Sequence, residues 1–531
     1  MRSEMPSSAG LLHGFRQSLT GDDVVATLAE SLIGRKAVVE GPYGRKDLVY
    51  ADYVASGRAL AQVERFVLEE VLPYYANSHT EASYCGGFMT RLRREARASI
   101  AACCGAREEH AVIFAGAGAT AGINRLVKLL GVADTVASGR RARVILGPYE
   151  HHSNILPWRE SGAQVIEIAE APGGGPDLAH LEDALRTAGD DCLTVCAFSA
   201  ASNVTGIVTD VRAVTAKAKA AGARMIWDYA GAGPYLPIAM SPEGGAEIDA
   251  LVVSPHKFIG GPGASGVLIL RRDAAVTTRP TWPGGGTVRF VSSAGHDYSD
   301  SLEAREEAGT PNVVGDIRAA LAFLVKDAIG REAMDRRNAE LTRRALAAWQ
   351  GVERLELLGP PTPDRLPIFS FRVRDGKGGY VHQQLVTRML SDRFGIQARG
   401  GCACAGPYVH RLLSIGPEDS ERMRQAILAG DEFAKPGFTR LNLSVLLPEA
   451  KVQFILDSVA RLASDAAHFA PDYDVDPDRA IFFPHPDAGV DDSQAPVGIA
   501  TGRSAFRMHP ESGDALPMPG VPGAGCAASC S

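Results

Sequence analysis

Several segments of the chain combine reactive side chains with the small residues that let a ligand come close. Val252-Val253-Ser254-Pro255-His256-Lys257-Phe258-Ile259-Gly260-Gly261 ends an apolar run in a Ser, a His and a Lys, then turns through glycines. A lysine whose ammonium is disfavoured by desolvation can form a Schiff base with a carbonyl ligand, although a lysine isolated at such a place is far more often an exposed loop residue, and its neighbours decide the matter. Asp228 closes a second apolar run, Ala223 to Trp227. One acid and one lysine at strand ends fit pyridoxal 5′-phosphate, whose aldehyde the lysine binds while the carboxylate keeps the pyridine nitrogen protonated. By itself Asp228 also fits a helix N-cap.

Three further segments extend this chemistry. Gly116-Ala117-Gly118-Ala119-Thr120-Ala121-Gly122-Ile123-Asn124 follows an apolar run and opens a helical pattern. Its small residues and helix N-terminus suit a single phosphate group, with Thr120 as a hydroxyl donor; the third glycine is one place late for the dinucleotide fingerprint, and a tight structural turn fits the segment as well. Glu150-His151-His152-Ser153-Asn154 places an imidazole where it can stack on a ring and shuttle a proton, or else a pair of surface histidines. Arg399-Gly400-Gly401-Cys402-Ala403-Cys404-Ala405-Gly406-Pro407 puts two thiols between glycines, with Arg399 as a nearby positive charge that would favour thiolate; the alternative is a pair of inert small residues.

To serve together, these segments must meet at one edge of a sheet. The runs Ala111–Phe114, Arg143–Leu146, Gln164–Ile168, Leu193–Phe198, Arg224–Trp227, Ala250–Val253 and Val267–Leu270 predict strands, several of them apolar throughout, as in parallel sheets buried on both faces. Helical segments such as Gly122–Leu130 and His180–Thr187 separate them, so the pattern predicts an α/β domain over about 46–325. A smaller α/β unit is expected over 326–470, with helix Arg336–Trp349, strand Ile368–Val373, helix Tyr380–Phe394, strands Ile396–Arg399 and Phe438–Leu443, and a last helix carrying Val452, Ile455, Val459 and Leu462 on one face. Residues 1–45 read as an N-terminal extension. From 471 to 531, nine of the 32 prolines crowd into a stretch without apolar period, which predicts a disordered tail.

Composition excludes several classes of function. The 531 residues carry a net charge of −7 with no Lys/Arg blocks, a poor match to nucleic-acid binding. No apolar run is long enough to cross a membrane. Nine cysteines, an odd number without zinc-type spacing, argue against a disulfide scaffold or a metal site. The opening residues lack the apolar stretch of a secretory signal, so the expected setting is reducing and cytosolic.

Taken together, the segments resemble the class-V aminotransferase family of pyridoxal-phosphate enzymes (fold type I), and within it the cysteine desulfurase and selenocysteine lyase group. Tyr50-Ala51-Asp52-Tyr53-Val54-Ala55-Ser56 is similar to the group's opening Y-L-D-x-A-A-S, Asn77-Ser78-His79 to N-x-H, and Glu150 to Asn154 to E-H-H-x-N. Ser202-Asn203-Val204-Thr205-Gly206 is similar to S-N-x-x-G, Ser254 to Lys257 to S-x-H-K, Glu307-Ala308-Gly309-Thr310-Pro311 to E-A-G-T-P, and Arg399 to Cys404 to R-x-G-x-x-C.

The resemblance implies a large, mostly parallel-sheet domain with a smaller α/β C-terminal domain, and a homodimer. It also implies that pyridoxal phosphate is held by Lys257, Asp228, His151, Ala119, Thr120, Asn203, Ser254 and His256, with Thr310 reaching the partner's phosphate site. Arg440, Asn203 and Ala55 would hold the substrate, cysteine or selenocysteine. Lys257, Cys404 and His151 would carry the reaction, in which Cys404 takes sulfur as a persulfide, leaves alanine and passes the sulfur to an acceptor protein. Another class-V reaction, an aminotransferase or a β-eliminating lyase, is the alternative, and a non-catalytic scaffold the third. Three positions depart from the group: Gly231 stands for the glutamine of D-x-A-Q, Thr80 for the arginine after N-x-H, and Cys402-Ala403 for histidines before the reactive cysteine.

Overall fold

The computed structural model describes residues 10–485, except 22, 79, 190, 243, 361 and 363. Seven strands build its larger sheet: β1 (His110–Gly116), β2 (Ala142–Leu146), β3 (Gln164–Glu167), β4 (Leu193–Ser199), β5 (Arg224–Asp228), β6 (Ala250–Val253) and β7 (Gly266–Arg271). Their order is β1-β7-β6-β5-β4-β2-β3. β7 runs antiparallel to both neighbours and the other pairs are parallel. β2 and β6 are buried along their whole length, which is why they read as unbroken apolar runs. Register places Ser199 of β4 opposite Asp228 of β5, and Asp228 opposite Val252 of β6. The carboxyl ends that carry polar side chains are therefore level with one another.

Helices α1 (Tyr84–Cys103) and α3 (Val313–Ile329) pack together, and α3 buries most of its residues. Helix α2 (Gly118–Leu129) starts directly after β1, its entry bent by Gly116 and Gly118 in left-handed conformations at φ 80° and 60°, which glycine adopts without steric cost.

A second, antiparallel sheet of four strands, β8 (Leu355–Leu357), β9 (Ile368–Val373), β10 (Arg399–Gly401) and β11 (Phe438–Asn442), has the order β8-β9-β11-β10. Helices α4 (Gln383–Phe394) and α5 (Glu449–Phe469) enclose a separate core with Trp349, Phe369, Phe371, Met389 and Ile455.

Three sequence expectations need correction. The single strand expected over Ile396–Arg399 is two: Ile396–Gln397 pairs in parallel with Val49–Tyr50, while β10 pairs with β11. Val49 and Ala51, assigned to the large unit, lie in the smaller core. The tail expected to be disordered from 471 instead begins with a hairpin of Tyr473–Asp476 and Ile481–Pro484. Tyr473 and Phe482 are buried in the smaller core, an apolar gain of roughly 1.5–3 kcal/mol for Phe482 alone that composition did not reveal. Residues 486–531 of that tail lie outside the described residues.

Candidate active site

Beyond the carboxyl ends of β4, β5 and β6 lies a cavity of about 230 Å³, lined by Gly118, Ala119, Thr120, His151, Asn203, Asp228, Gly231, Ser254, His256 and Lys257 among others. This is the ligand crevice of an open α/β sheet. Each wall has a local origin. The 3-10 turn Pro255–Lys257 follows β6 and carries the lysine inward. Ser254 Oγ accepts the amide of Ala119 at 2.9 Å, fastening that turn to the start of α2. A side chain at Gly118 would strike Ser254 Oγ and the His256 ring at about 3 Å, so glycine there keeps the two loops in contact.

Asp228 is buried at the end of β5, one oxygen accepting the amide of Ala230 at 2.7 Å. Burial raises its pKa against the pull of that amide and of Lys257. Desolvation pushes Lys257 down to about 8, with Asp228 opposing the shift and Arg440 adding to it. That shift lets part of the amine be neutral near neutral pH, as a nucleophilic or proton-abstracting lysine needs. His151 falls to about 4, chiefly through burial and then through Lys257, so its ring is neutral. Its Nδ1 pairs with Ser153 Oγ at 3.0 Å, and Ser153 Oγ with Thr120 Oγ1 at 2.7 Å.

Beneath His151, Glu150 is fully enclosed and accepts from Ser199 N (2.8 Å), Ser199 Oγ (2.7 Å) and Asn154 Nδ2 (2.6 Å). Burial raises it to about 8 even against those donors, with Asp228 adding to the rise. Glu150 joins the ends of β2 and β4; reading the sequence drew attention to the histidines beside it and assigned it no role.

The two thiols occupy a reverse turn closed by Ala405 N donating to Cys402 O at 3.1 Å. Both central residues, Ala403 and Cys404, are left-handed at φ 50° and 53°, the combination found in type I′ turns. Side chains other than Gly, Asn or Asp are strained there, and tertiary contacts hold them. Asn203 Nδ2 donates to Ala403 O at 2.9 Å, His152 N to Cys404 O at 2.8 Å, and Gly406 N to His152 Nε2 at 3.0 Å. Cys404 is exposed and Cys402 partly covered. Asn203, a wall of the cavity, is thus one hydrogen bond from the residue preceding Cys404.

Arg440, on β11, is buried with Nη1 donating to Asn203 O at 2.9 Å and Nη2 to Asp52 Oδ1 at 3.1 Å. Its Nε has no partner. Ala55 and Thr310 do not line the cavity, and Thr310 is exposed. Its segment is anchored by Glu307, whose buried carboxylate accepts from Arg93, Arg97 and the Phe114 amide. His79 of the N-x-H motif lies outside the described residues. Where the group's glutamine would stand, a Cβ added to Gly231 would meet Asn203 Cβ at 3.4 Å.

The family profile of class-V aminotransferases matches residues 49–423. The chain belongs to the class-V aminotransferase family. Among curated class-V relatives, the chain is 31% identical over 372 residues to a cysteine desulfurase of Serratia proteamaculans, covering 68% of this chain and 85% of the relative. It is 28% identical over 401 residues to the probable cysteine desulfurase 2 of Mycobacterium leprae, covering 75% and 91%. A solved apo cysteine desulfurase from Thermococcus onnurineus superposes with a TM-score of 0.66 at 26% identity, covering 78% of this chain and 95% of that one. A cysteine desulfurase from Escherichia coli gives 0.64 at 20% identity, covering 83% and 98%, and shares the fold. The architecture is fold type I, and the protein is a pyridoxal-phosphate-dependent enzyme of class V.

The residues present fit that cofactor. The cavity holds one lysine and one buried carboxylate with no cation bonded to it, which matches an aldehyde and a protonated pyridine nitrogen. Asn203 Oδ1 is buried without a partner while Nδ2 is engaged by Ala403 O, so that oxygen offers an acceptor to a bound ligand. Thr120 and the first turn of α2 offer donors to a phosphate.

Proposed function

We propose that the protein is a cysteine desulfurase that converts L-cysteine to alanine and transfers the sulfur to Cys404 as a persulfide, for delivery to an acceptor protein. The observation that carries this reading is the exposed Cys404 on a turn held by His152 and fastened to the cavity wall through Asn203.

In that reading Lys257 would hold the aldehyde of pyridoxal phosphate, Asp228 the ring nitrogen and Asn203 the ring side, with Ala119, Thr120, Ser254 and His256 toward the phosphate end. When bound, the cofactor holds the substrate amine and withdraws electrons from the Cα bonds. Arg440 receives the α-carboxylate through charge-assisted hydrogen bonds. Freed from the aldehyde when the substrate amine takes its place, Lys257 would take the Cα proton, and neutral His151, on the same cavity wall, would add no cation beside it. The Cys404 thiolate attacks the substrate sulfur: an S–S bond forms, the Cβ–S bond breaks, and its electron pair remains on the three-carbon fragment, which takes up protons to become alanine. Selenocysteine offers a weaker bond at the same place and is the natural second substrate.

The assembly we infer is a homodimer. Thr310 is exposed and apart from its own cavity, as a residue serving a partner's phosphate site would be, and Leu68, Leu72, Tyr75, Trp282, Phe290 and Val291 expose large apolar side chains that a partner would cover. No described helix is long and apolar enough to cross a membrane, and an exposed reactive thiol suits a reducing, cytosolic setting. Incubation of the cofactor-loaded protein with L-cysteine, L-selenocysteine and common amino acids, assayed for alanine, sulfide and keto acids, tests the reading. Alanine and persulfide from cysteine support it; transamination of another amino acid with no turnover of cysteine replaces it.

A further inference from the structure

Residues 49–58 run between the two sheets and touch both parts of the site. Val49–Tyr50 pair with Ile396–Gln397. Ala51 O accepts the amide of Asn442, two residues beyond Arg440 on β11, at 2.9 Å, and Gly57 N donates to His256 O at 2.9 Å. A Cβ at Gly57 would fall 1.7 Å from Phe258 O, so the segment lies directly on the Lys257 turn. Asp52, 8% exposed, is held on this backbone. One of its oxygens accepts from Arg440 Nη2 at 3.1 Å, the other from Arg399 Nε at 2.9 Å.

The two arginines are direct cross-strand neighbours, Arg399 opposite Arg440 in the β10–β11 register. Like charges in that position repel, and Asp52 is the carboxylate that bridges them. Arg399 also opens the strand that leads into the cysteine turn. The Arg440 fork is thereby fixed at both Nη atoms, by Asn203 O and Asp52, while Nε is left without a partner.

We propose that Asp52 is a positioning residue for the reaction, its two oxygens holding the arginine that grips the substrate carboxylate and the arginine that roots the cysteine turn. Substrate grip and thiol placement then share one anchor on the segment that also rests against the Lys257 turn. The proposal rests on the roles given above to Arg440 and Cys404. One bridging carboxylate leaves the pair of guanidinium groups with a single net positive charge, matched to one α-carboxylate. Asparagine in its place keeps the shape but loses the charge; its NH2 faces one guanidinium and its single oxygen holds the other without charge assistance, so both arginines are held more weakly.

The test uses the full chain loaded with pyridoxal phosphate, as wild type, Asp52→Asn, Asp52→Glu and Arg399→Gln. Three quantities are read: cofactor content, KM and kcat for L-cysteine, and the alkylation rate of Cys404 by iodoacetamide without substrate, followed by peptide mass spectrometry. Asp52→Asn should keep its cofactor, raise KM ~10-fold, the loss of one charge-assisted contact, and speed alkylation about threefold as the turn loosens. Asp52→Glu should restore most of the KM. Arg399→Gln, which leaves Arg440 its partner, should speed alkylation, compared at high pH where the thiols are ionised in every variant so that loss of the nearby positive charge does not enter, while KM stays within about twofold; it also serves if Asp52→Asn does not fold. An unchanged KM with only kcat lowered in Asp52→Asn, or wild-type alkylation rates in both Asp52→Asn and Arg399→Gln, overturns the proposal. If wild type makes no alanine from cysteine, the proposed activity fails, and the alkylation rates still decide whether Asp52 anchors the turn.

Discussion

Replacing Glu150 by glutamine should remove a specific pH dependence from the stability of the cofactor-free protein. Glu150 carries its proton up to about pH 8 in the fold, against 4.5 for the free group, because burial outweighs three donated hydrogen bonds. For an acid whose folded pKa is raised, the folded state binds the extra proton, so stability is fully present below 4.5 and is lost as pH rises toward 8. Between pH 6.5 and 8.5 that loss amounts to about 2 kcal/mol at ~1.4 kcal/mol per unit, levelling off once the folded group itself ionises. Glutamine has nearly the acid's shape and no proton to lose in this range, so Glu150→Gln should lack this slope. His151, lowered from 6.5 to about 4, is still adding stability at the lower edge of this window, and Lys257, lowered to about 8, begins to add stability in its upper part; both run against the Glu150 loss and, being present in both proteins, cancel in the comparison. Urea unfolding of both proteins at pH 6.5, 7.5 and 8.5 measures the difference directly. Equal slopes in the two proteins would refute a buried, protonated Glu150, and with it the assignment of burial as the dominant cause.

Cys404→Ala should keep the yellow colour of lysine-bound pyridoxal phosphate and lose most sulfur release from cysteine, measured as sulfide and alanine, while Cys402→Ala loses less because its thiol is partly covered. Borohydride reduction of the loaded protein should place the pyridoxyl label on Lys257; peptide mass spectrometry finding it on another lysine would contradict the site. Gly57→Ala forces a methyl group to within 1.7 Å of Phe258 O and should lower cofactor retention and thermal stability together, read by absorbance and by melting. Sedimentation of the loaded protein should give a dimer, and Thr310→Ala should weaken cofactor binding by a partner-supplied contact; a fully active monomer would contradict that assembly.

The chemistry at the strand ends was legible in the sequence because its causes are local. An apolar run long enough to be buried on both faces, followed at once by Asp228 or by Ser254 to Lys257, can end only at the polar edge of a sheet, and glycines at 116 and 118 mark where α2 must bend away. The resemblance then joined segments that the residues taken singly left ambiguous. Other features arise from packing between distant parts of the chain. Val49–Tyr50 is too short a strand to have a period of its own, and only pairing with Ile396–Gln397 gives it a place. That pairing splits the strand expected over 396–399 and brings Asp52 between Arg399 and Arg440, 347 and 388 residues away along the chain. Composition concealed the hairpin at 473–484 because two buried aromatics, not a run of them, hold it to the smaller core. The proton on Glu150 and the left-handed pair Ala403-Cys404 were equally out of reach of sequence: a pKa is set by what surrounds the group, and a strained turn persists only where Asn203 and His152, far off in sequence, hold its carbonyls.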